Sequence, residues 1–406
     1  MTQTFTYKAR DRAGRLVSGK LQGDTAALVA VKLRDQGYTP VSVEGGAGGV
    51  GKKELRIPGF GGKVKAKEAA VFSRQFATMI NAGLSLLRSL AILADQTENK
   101  ELARVLGEVR TDVEGGSALS VALARHPKAF NRLYVSMVRA GEMGGMLDTV
   151  LLRLATTMEA QVELKRKVKS AMTYPVVVGA LIVLIVGGMI LFIVPMFKGM
   201  YAELGGELPL PTRVLLGISS TVTGKFYLVA LFGGGAIYGG KRWVRTKAGR
   251  MRWDTMKLRL PVFGNLIHKT LLARFARTLG ALVRSGVSIL DALDIAADTA
   301  GNAVMAAALE DTKAAVSQGE PLSKPLESHP VFPGMVVQML AVGEETGALD
   351  ELLDKIADYY DMEVSATVDA LTSLIEPLLI VGMGISVGGM VIALYLPMFN
   401  IVNLLE

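Results

Sequence analysis

Three stretches of the chain are almost wholly apolar, and between them hydrophobic residues recur every third or fourth position. Residues 173–197, TYPVVVGALIVLIVGGMILFIVPMF, carry no charge and match the roughly 20 residues that a bilayer crossing needs. The run FYLVALFGGGAIYGG is shorter, but Lys225 and Lys241 flank it and can snorkel to extend a second span over 221–243. A third span is expected over 374–399, where Glu376 is the one charged residue and lies near the start. Elsewhere the period is that of surface helices: Phe72, Phe76, Met79, Ile80 and Leu84 share one helical face. Glycines and His-Pro steps punctuate the pattern, so 67–172 and 268–373 are expected as two helical bundles. Residues 1–45 differ. TFTYKAR alternates like a strand, DTAALVAVKLRDQG reads as a helix with Asp24 at its N-cap and Gly37 past its end, and PVSV as a further strand. This predicts a small α/β subdomain, joined to the first bundle by a flexible glycine-rich linker over 46–66.

The two bundles repeat each other. FSRQFATMINAGLSLLRSLAILA (72–94) aligns with FARTLGALVRSGVSILDALDIAA (275–297), so that Arg74 answers Arg277 and Gly83 answers Gly286. His126-Pro127 answers His329-Pro330; after the loss of one residue, Gly141, Glu142, Gly145 and Asp148 answer Gly343, Glu344, Gly347 and Asp350. The register continues into the spans, where Pro175 matches Pro377 and Pro195 matches Pro397. Each unit is thus a bundle followed by its own span, and the fold class is a mainly α polytopic membrane protein.

Charge sets the orientation. Lys165, Arg166, Lys167 and Lys169 precede the first span, and Lys241, Arg242, Arg245, Lys247, Arg250 and Arg252 follow the second, which places both clusters in the cytosol. The loop 198–220 is nearly balanced and the tail 400–406 has no Lys or Arg, so both are expected outside. The opening residues lack the apolar core of a secretory signal, which leaves the N-terminus cytosolic and the C-terminus external. The basic segment 244–267, with Trp243 and Trp253 near its start, suits anionic lipid at an interface. No nucleic-acid module accompanies the net charge of +8.

Catalytic chemistry finds no carrier. Cysteine is absent, no G-x-x-x-x-G-K-[S/T] loop occurs, no G-x-S-x-G elbow supports a nucleophile, and His126, His268 and His329 have no carboxylate at ligand spacing. The reading is therefore no enzyme, no cofactor and no metal. In the duplicated G-E-x-x-G-x-L-D phrase, Gly141 and Gly343 are expected to end a helix, Gly145 and Gly347 to shape the turn, and Leu147 and Leu349 to start the next helix. Glu142, Asp148, Glu344 and Asp350 could in addition form an acidic rim for a partner's Arg or Lys. In the spans, Gly235 with Gly239 and Gly384 with Gly388 have small-x-x-x-small spacing, which favours close helix packing within this chain or with a second copy. Glu376-Pro377 reads as a helix start, where the dipole favours a carboxylate, or as an intramembrane charge meeting a partner.

With the doubled bundle–span unit, G-E-x-x-G-x-L-D in both copies, PLPTR before the second span, Y-K-A-R-D-x-x-G-R at 7–15, L-R-x-x-G at 33–37, L-P-V-F-G at 260–264 and the closing L-P-M-F, the chain resembles the inner-membrane platform proteins of bacterial type IV pilus and type II secretion machines. The resemblance covers nearly the whole length. It implies a homo-oligomeric scaffold in the bacterial inner membrane that touches a hexameric cytosolic assembly ATPase, other inner-membrane assembly proteins, and the pilins or pseudopilins it helps pass into the fibre. The alternative is a transporter or channel subunit with duplicated halves; the near absence of polar groups in the spans speaks against it.

Overall fold

The structure, a computed structural model, describes residues 3–10, 16–23, 26–35, 37–46, 63–196, 210–224, 226–261 and 263–402. Asp24, linker residues 47–62, loop residues 198–209 and tail residues 403–406 lie outside these. The chain divides into two compact units, Met1–Gly62 and Lys63–Glu406.

In the first unit, β1 (Gln3–Arg10) lies between β2 (Leu16–Gly23) and β3 (Thr39–Gly46), antiparallel to both. TFTYKAR and PVSV fall on β1 and β3. Strand β2 has no forerunner in the hydropathy reading, because Gly19 and Lys20 interrupt its alternation. Helix α1 (Ala26–Asp35) buries Val29 and Leu33 beside Leu21 and Tyr38. It ends at Gly37, whose φ of +83° is the left-handed conformation that glycine adopts without strain.

In the second unit, the first repeat comprises α2 (Ala66–Asn81), α3 (Leu86–Gln96), α4 (Lys100–Glu114), α5 (Leu119–Ala124), α6 (Arg132–Gly144) and α7 (Leu147–Gly188). Then come α8 (Leu210–Gly224), α9 (Phe226–Val244) and α10 (Lys247–Arg259). The second repeat is α11 (Phe263–Arg284), α12 (Ile289–Thr299), α13 (Ala303–Ser317), α14 (Ser323–Glu327), α15 (Gly334–Thr346) and α16 (Leu349–Val402). The repeats reproduce each other down to single contacts. Phe72 meets Phe130 with ring centroids 5.7 Å apart, and Phe275 meets Phe332 at 5.1 Å. One continuous cluster of buried side chains, including Phe76, Leu106, Leu154, Leu279, Leu309 and Ile356, runs through both. At about 1.5–3 kcal/mol for each fully buried large apolar side chain, this shared core outweighs any single polar contact described below.

No break separates bundle from apolar segment. Helix α7 passes through a π-helical turn, Met189–Ile193, and the continuous rod Leu147–Met196 spans 50 residues, about 75 Å at 1.5 Å per residue. Helix α16 has 54 residues. Pro175 and Pro377 both lie inside these helices, where each removes one backbone hydrogen bond. Glu376-Pro377 is consequently not a helix start, and the dipole argument for Glu376 lapses.

Among the described residues, two helices, Leu147–Met196 and Leu349–Tyr395, are long and apolar enough to cross a membrane. The expected second span, 221–243, takes in the end of α8 and most of α9, and the glycines, Lys241 and Arg242 of α9 dilute its hydropathy. The expected external loop 198–220 is helical from Leu210 onward. Helix α8 sets Leu215 and Leu216 against Val194, Met390 and Leu394, and Thr212 Oγ1 donates to the Ala393 carbonyl. Ser219 Oγ donates to the Ile190 carbonyl at 2.8 Å, satisfying an acceptor inside the π turn, where the regular ladder is disturbed. Within the expected basic segment, α10 is pinned to the second repeat. The buried Asp254 carboxylate accepts the Ala303 amide that opens α13, at 2.9 Å, and the Lys257 ammonium at 2.9 Å.

Candidate functional site

The duplicated corner joins the helix before each long rod to the rod itself. At the first, the Met146 amide donates to the Gly141 carbonyl at 2.9 Å and the Gly145 amide to the Glu142 carbonyl at 3.4 Å. These paired bonds close a helix end when the intervening residue is left-handed. Gly145 has φ +67° and Gly347, in the second corner, +71°, so both have the turn-shaping role expected, and Leu147 and Leu349 begin the rods. Gly141 and Gly343 differ from the expectation. They do not end their helices but sit three residues inside, buried. A β-carbon at Gly141 would stand 3.0 Å from Val150 Cβ, and one at Gly343 3.0 Å from Leu349 Cα. The glycine lets the helix lie against the start of the rod.

Three of the four carboxylates bind groups of this chain. Glu142 accepts the amides of Leu119 at 2.5 Å and Ser120 at 3.1 Å, at the first turn of α5, whose own N-cap, Ala118, offers no side-chain acceptor. Glu344 accepts the Leu322 amide at 2.9 Å, at the opening of α14. Each glutamate therefore satisfies helix-opening amides that lack a local partner and complements the positive end of the dipole. Asp350 accepts from Arg284 Nε at 3.0 Å, and the guanidinium beside it holds its carboxyl below the usual range. Asp148 is exposed and has no cation partner among the described residues. Of the four acidic residues, three are engaged within the chain and Asp148 faces outward.

Above the corners, each rod is tied to the first helix of its own repeat. Arg74 grips Glu159, and Arg277 grips Asp358 and Asp361; Arg74 answers Arg277 and Glu159 answers Asp361 in the repeat. The Arg74 hydrogen bond keeps the Glu159 carboxyl below its ordinary value. His126 and His329 each lie near a carboxylate at a spacing unlike that of metal ligands, whereas His268 Nε2 meets the Val331 carbonyl at 2.6 Å. His126 Nε2 lies 3.8 Å from Glu108, and His329 Nε2 lies 3.6 Å from Asp311. Eighteen residues separate the members of each pair, which no local spacing rule would join. Their carbonyls accept the Phe130 and Phe332 amides at 3.0 Å, so the turn role is present as well. Among the described residues no group of three or more His, Asp or Glu converges as a metal site would require.

Contacts between the repeats were not foreseen. Arg132, at the start of α6, pairs with Asp294 and Asp298 on α12, and Arg153 Nη1 donates to the Arg284 carbonyl at 2.6 Å. Asp294 also holds Lys313, and these two cations, Lys313 first, keep its carboxyl below the usual range. The signal available in the sequence was asymmetry: Arg132 aligns with Gly334, and Asp294 with Ala91. In the apolar half, a β-carbon at Gly235, Gly239, Gly384 or Gly388 would meet nothing within 4 Å, so these small-residue faces stand open within one chain. Pro195 lies near the end of the described part of the first rod, and Pro397 inside α16.

The sequence profile of type II secretion system protein F matches residues 72–195 and again 275–397, and the profile of its N-terminal domain matches residues 1–44. Relatives include a type IV pilus assembly protein PilC of Thermus thermophilus, 46% identical over 99% of this chain and 99% of its own length. PilC of Myxococcus xanthus is 42% identical over 100% of this chain and 96% of its own. A type II secretion system protein F of Xanthomonas campestris is 36% identical over 98% of each.

Proposed function

Because this chain belongs to the type II secretion system protein F family, we propose that it is an inner-membrane platform for a type IV pilus or type II secretion machine. In this reading it couples a cytosolic hexameric ATPase to the insertion of pilins or pseudopilins into a growing fibre, and has no catalytic step of its own. It crosses the membrane three times, at 173–197, 221–243 and 374–399, with the bundles and N-terminus cytosolic and the C-terminus outside. The observation that carries the proposal is the pair of unbroken rods. Each begins at a bundle corner, is clamped to its own repeat by Arg74–Glu159 or Arg277–Asp361, and continues into apolar sequence. A displacement of the bundle by a motor therefore moves the membrane segment with it. The open Gly235/Gly239 and Gly384/Gly388 faces suit other spans, from a second copy or an assembly partner, and exposed Asp148 is the corner carboxylate left for a partner's cation.

Inserting a flexible Gly-Ser segment after Met172 tests the coupling. The altered protein should still enter the membrane and co-purify with the ATPase in mild detergent, while surface fibres or secretion are lost. Normal fibre assembly and secretion by that protein would overturn the rod mechanism, and normal output from cells lacking the chain would overturn the platform role.

A further inference from the structure

Where α7 and α11 approach the apolar half, they enclose a cavity of about 330 Å³ lined by Lys165, Lys169, Arg274 and Arg277, with Val168 and Met172 on the side toward the apolar segment. Its charges do not balance. Arg277 is bound to Asp358 and to Asp361, the carboxylate of the lining. Lys165, Lys169 and Arg274 have no carboxylate partner among the described residues. Arg274 is the telling member. Burial pushes its guanidinium pKa down, with nothing opposing the shift, and its Nη1 rests beside Gly301, 2.8 Å from where a β-carbon would be. Withdrawing a guanidinium from water without an anion is costly, and an anion entering the cavity would offset that cost.

Position and lining narrow the choice of anion. Lys169 is the last charged residue of α7 before the charge-free run that starts at Thr173, about 6 Å along the helix at 1.5 Å per residue. That distance fits the polar headgroup layer, roughly 5–8 Å deep on each side of the hydrocarbon core. Phosphate oxygens are the acceptors that a guanidinium and two ammonium groups favour, and the apolar residues toward Thr173 suit glycerol and the first methylenes of an acyl chain. The site is not part of the duplicated scaffold, because Val71, Thr367 and Leu371 stand where the repeat would place Arg274, Lys165 and Lys169.

We propose that this cavity holds the phosphate headgroup of an acidic phospholipid, fixing the second repeat and the first rod at the cytosolic leaflet. The proposal rests on the membrane reading above, and the test separates the two. The full chain is reconstituted into phosphatidylcholine vesicles with increasing phosphatidylglycerol, and headgroup preference is read by native mass spectrometry of lipids retained on extraction. Wild type should retain phosphatidylglycerol over phosphatidylcholine. Lys165→Gln with Lys169→Gln, on the exposed rim, should lose that preference by roughly twenty-five-fold, at about a factor of five per cation. Lys100→Gln with Lys128→Gln, exposed in the first bundle and away from the cavity, should keep it. Arg274→Lys, which keeps the charge, should bind more tightly than Arg274→Gln. Equal retention by wild type and the rim variant would overturn the site, as would displacement of the lipid by millimolar glycerol phosphate, which would mark the ligand as a free anion. A chain that fails to enter vesicles of any composition would instead overturn the membrane reading.

Discussion

Glu142 reaches back from α6 to accept the Leu119 amide at 2.5 Å, so the corner that launches the first rod also closes the open end of α5. Glu344 stands in the same relation to Leu322. Replacing Glu142 with Gln removes the charge that complements two helix-opening amides, and should lower stability by about 1 kcal/mol. Glu344→Gln should cost less, since Glu344 is exposed and holds one amide. Thermal unfolding of the full chain in detergent measures both. Unchanged midpoints would mean that the caps contribute nothing and that these glutamates are free to serve a partner.

The two glycines of each corner answer different demands, and a single residue type separates them. Asn tolerates the left-handed conformation, so Gly145→Asn should cost less than about 1 kcal/mol. Gly141→Asn introduces a side chain where even a β-carbon crowds Val150 and Leu147, and should cost about 1–3 kcal/mol. The reverse order in a denaturation series would refute the close-approach account.

The link between repeats through Arg132 and Asp294 should depend on pH. Asp294 has its folded pKa depressed by Lys313 and Arg132, so its contribution is present above the ordinary carboxylate value of about 4 and is lost as pH falls through the lower folded value. The groups are largely exposed, so Arg132→Ala should destabilise by less than about 1 kcal/mol at neutral pH. The gap between variant and wild type should shrink as the pH is lowered past the ordinary carboxylate range and through the lower folded value. A gap that persisted there would assign the effect of Arg132 to packing.

Helix α8 is held to both rods by hydroxyls. Thr212→Val and Ser219→Ala, which delete the bonds to the Ala393 and Ile190 carbonyls, should each cost about 0.5–1.5 kcal/mol. Protease sensitivity in detergent near residues 210–224 should rise in the double variant and not in either bundle. Cleavage spread evenly along the chain would show that α8 is not an independently anchored element.

Because the chain has no native cysteine, its topology can be mapped with introduced ones. The proposed topology puts position 310, exposed on α13, in the cytosol and position 206 outside. A membrane-impermeant thiol reagent should label 206 and spare 310 in intact cells. The opposite pattern would invert the proposed orientation.

The sequence by itself determined the duplication, the two strongest apolar segments and the helical class of the bundles. These follow from local periodicity and from alignment of the chain with itself, and both can be read in one dimension. It left open which glycine turns the chain and which admits a neighbouring helix, since Gly141 and Gly145 look alike until their surroundings are known. Only the tertiary structure decided that Glu142 and Glu344 close the open ends of neighbouring helices, that Arg132 joins the repeats, that α8 fills part of an expected loop, and that bundle and apolar segment form one rod. Each of the first three depends on groups far apart in the chain, whose energy arises from distance and burial in three dimensions. The last depends on packing that carries a helix past Pro175 and Pro377, positions where local propensity alone favours a stop.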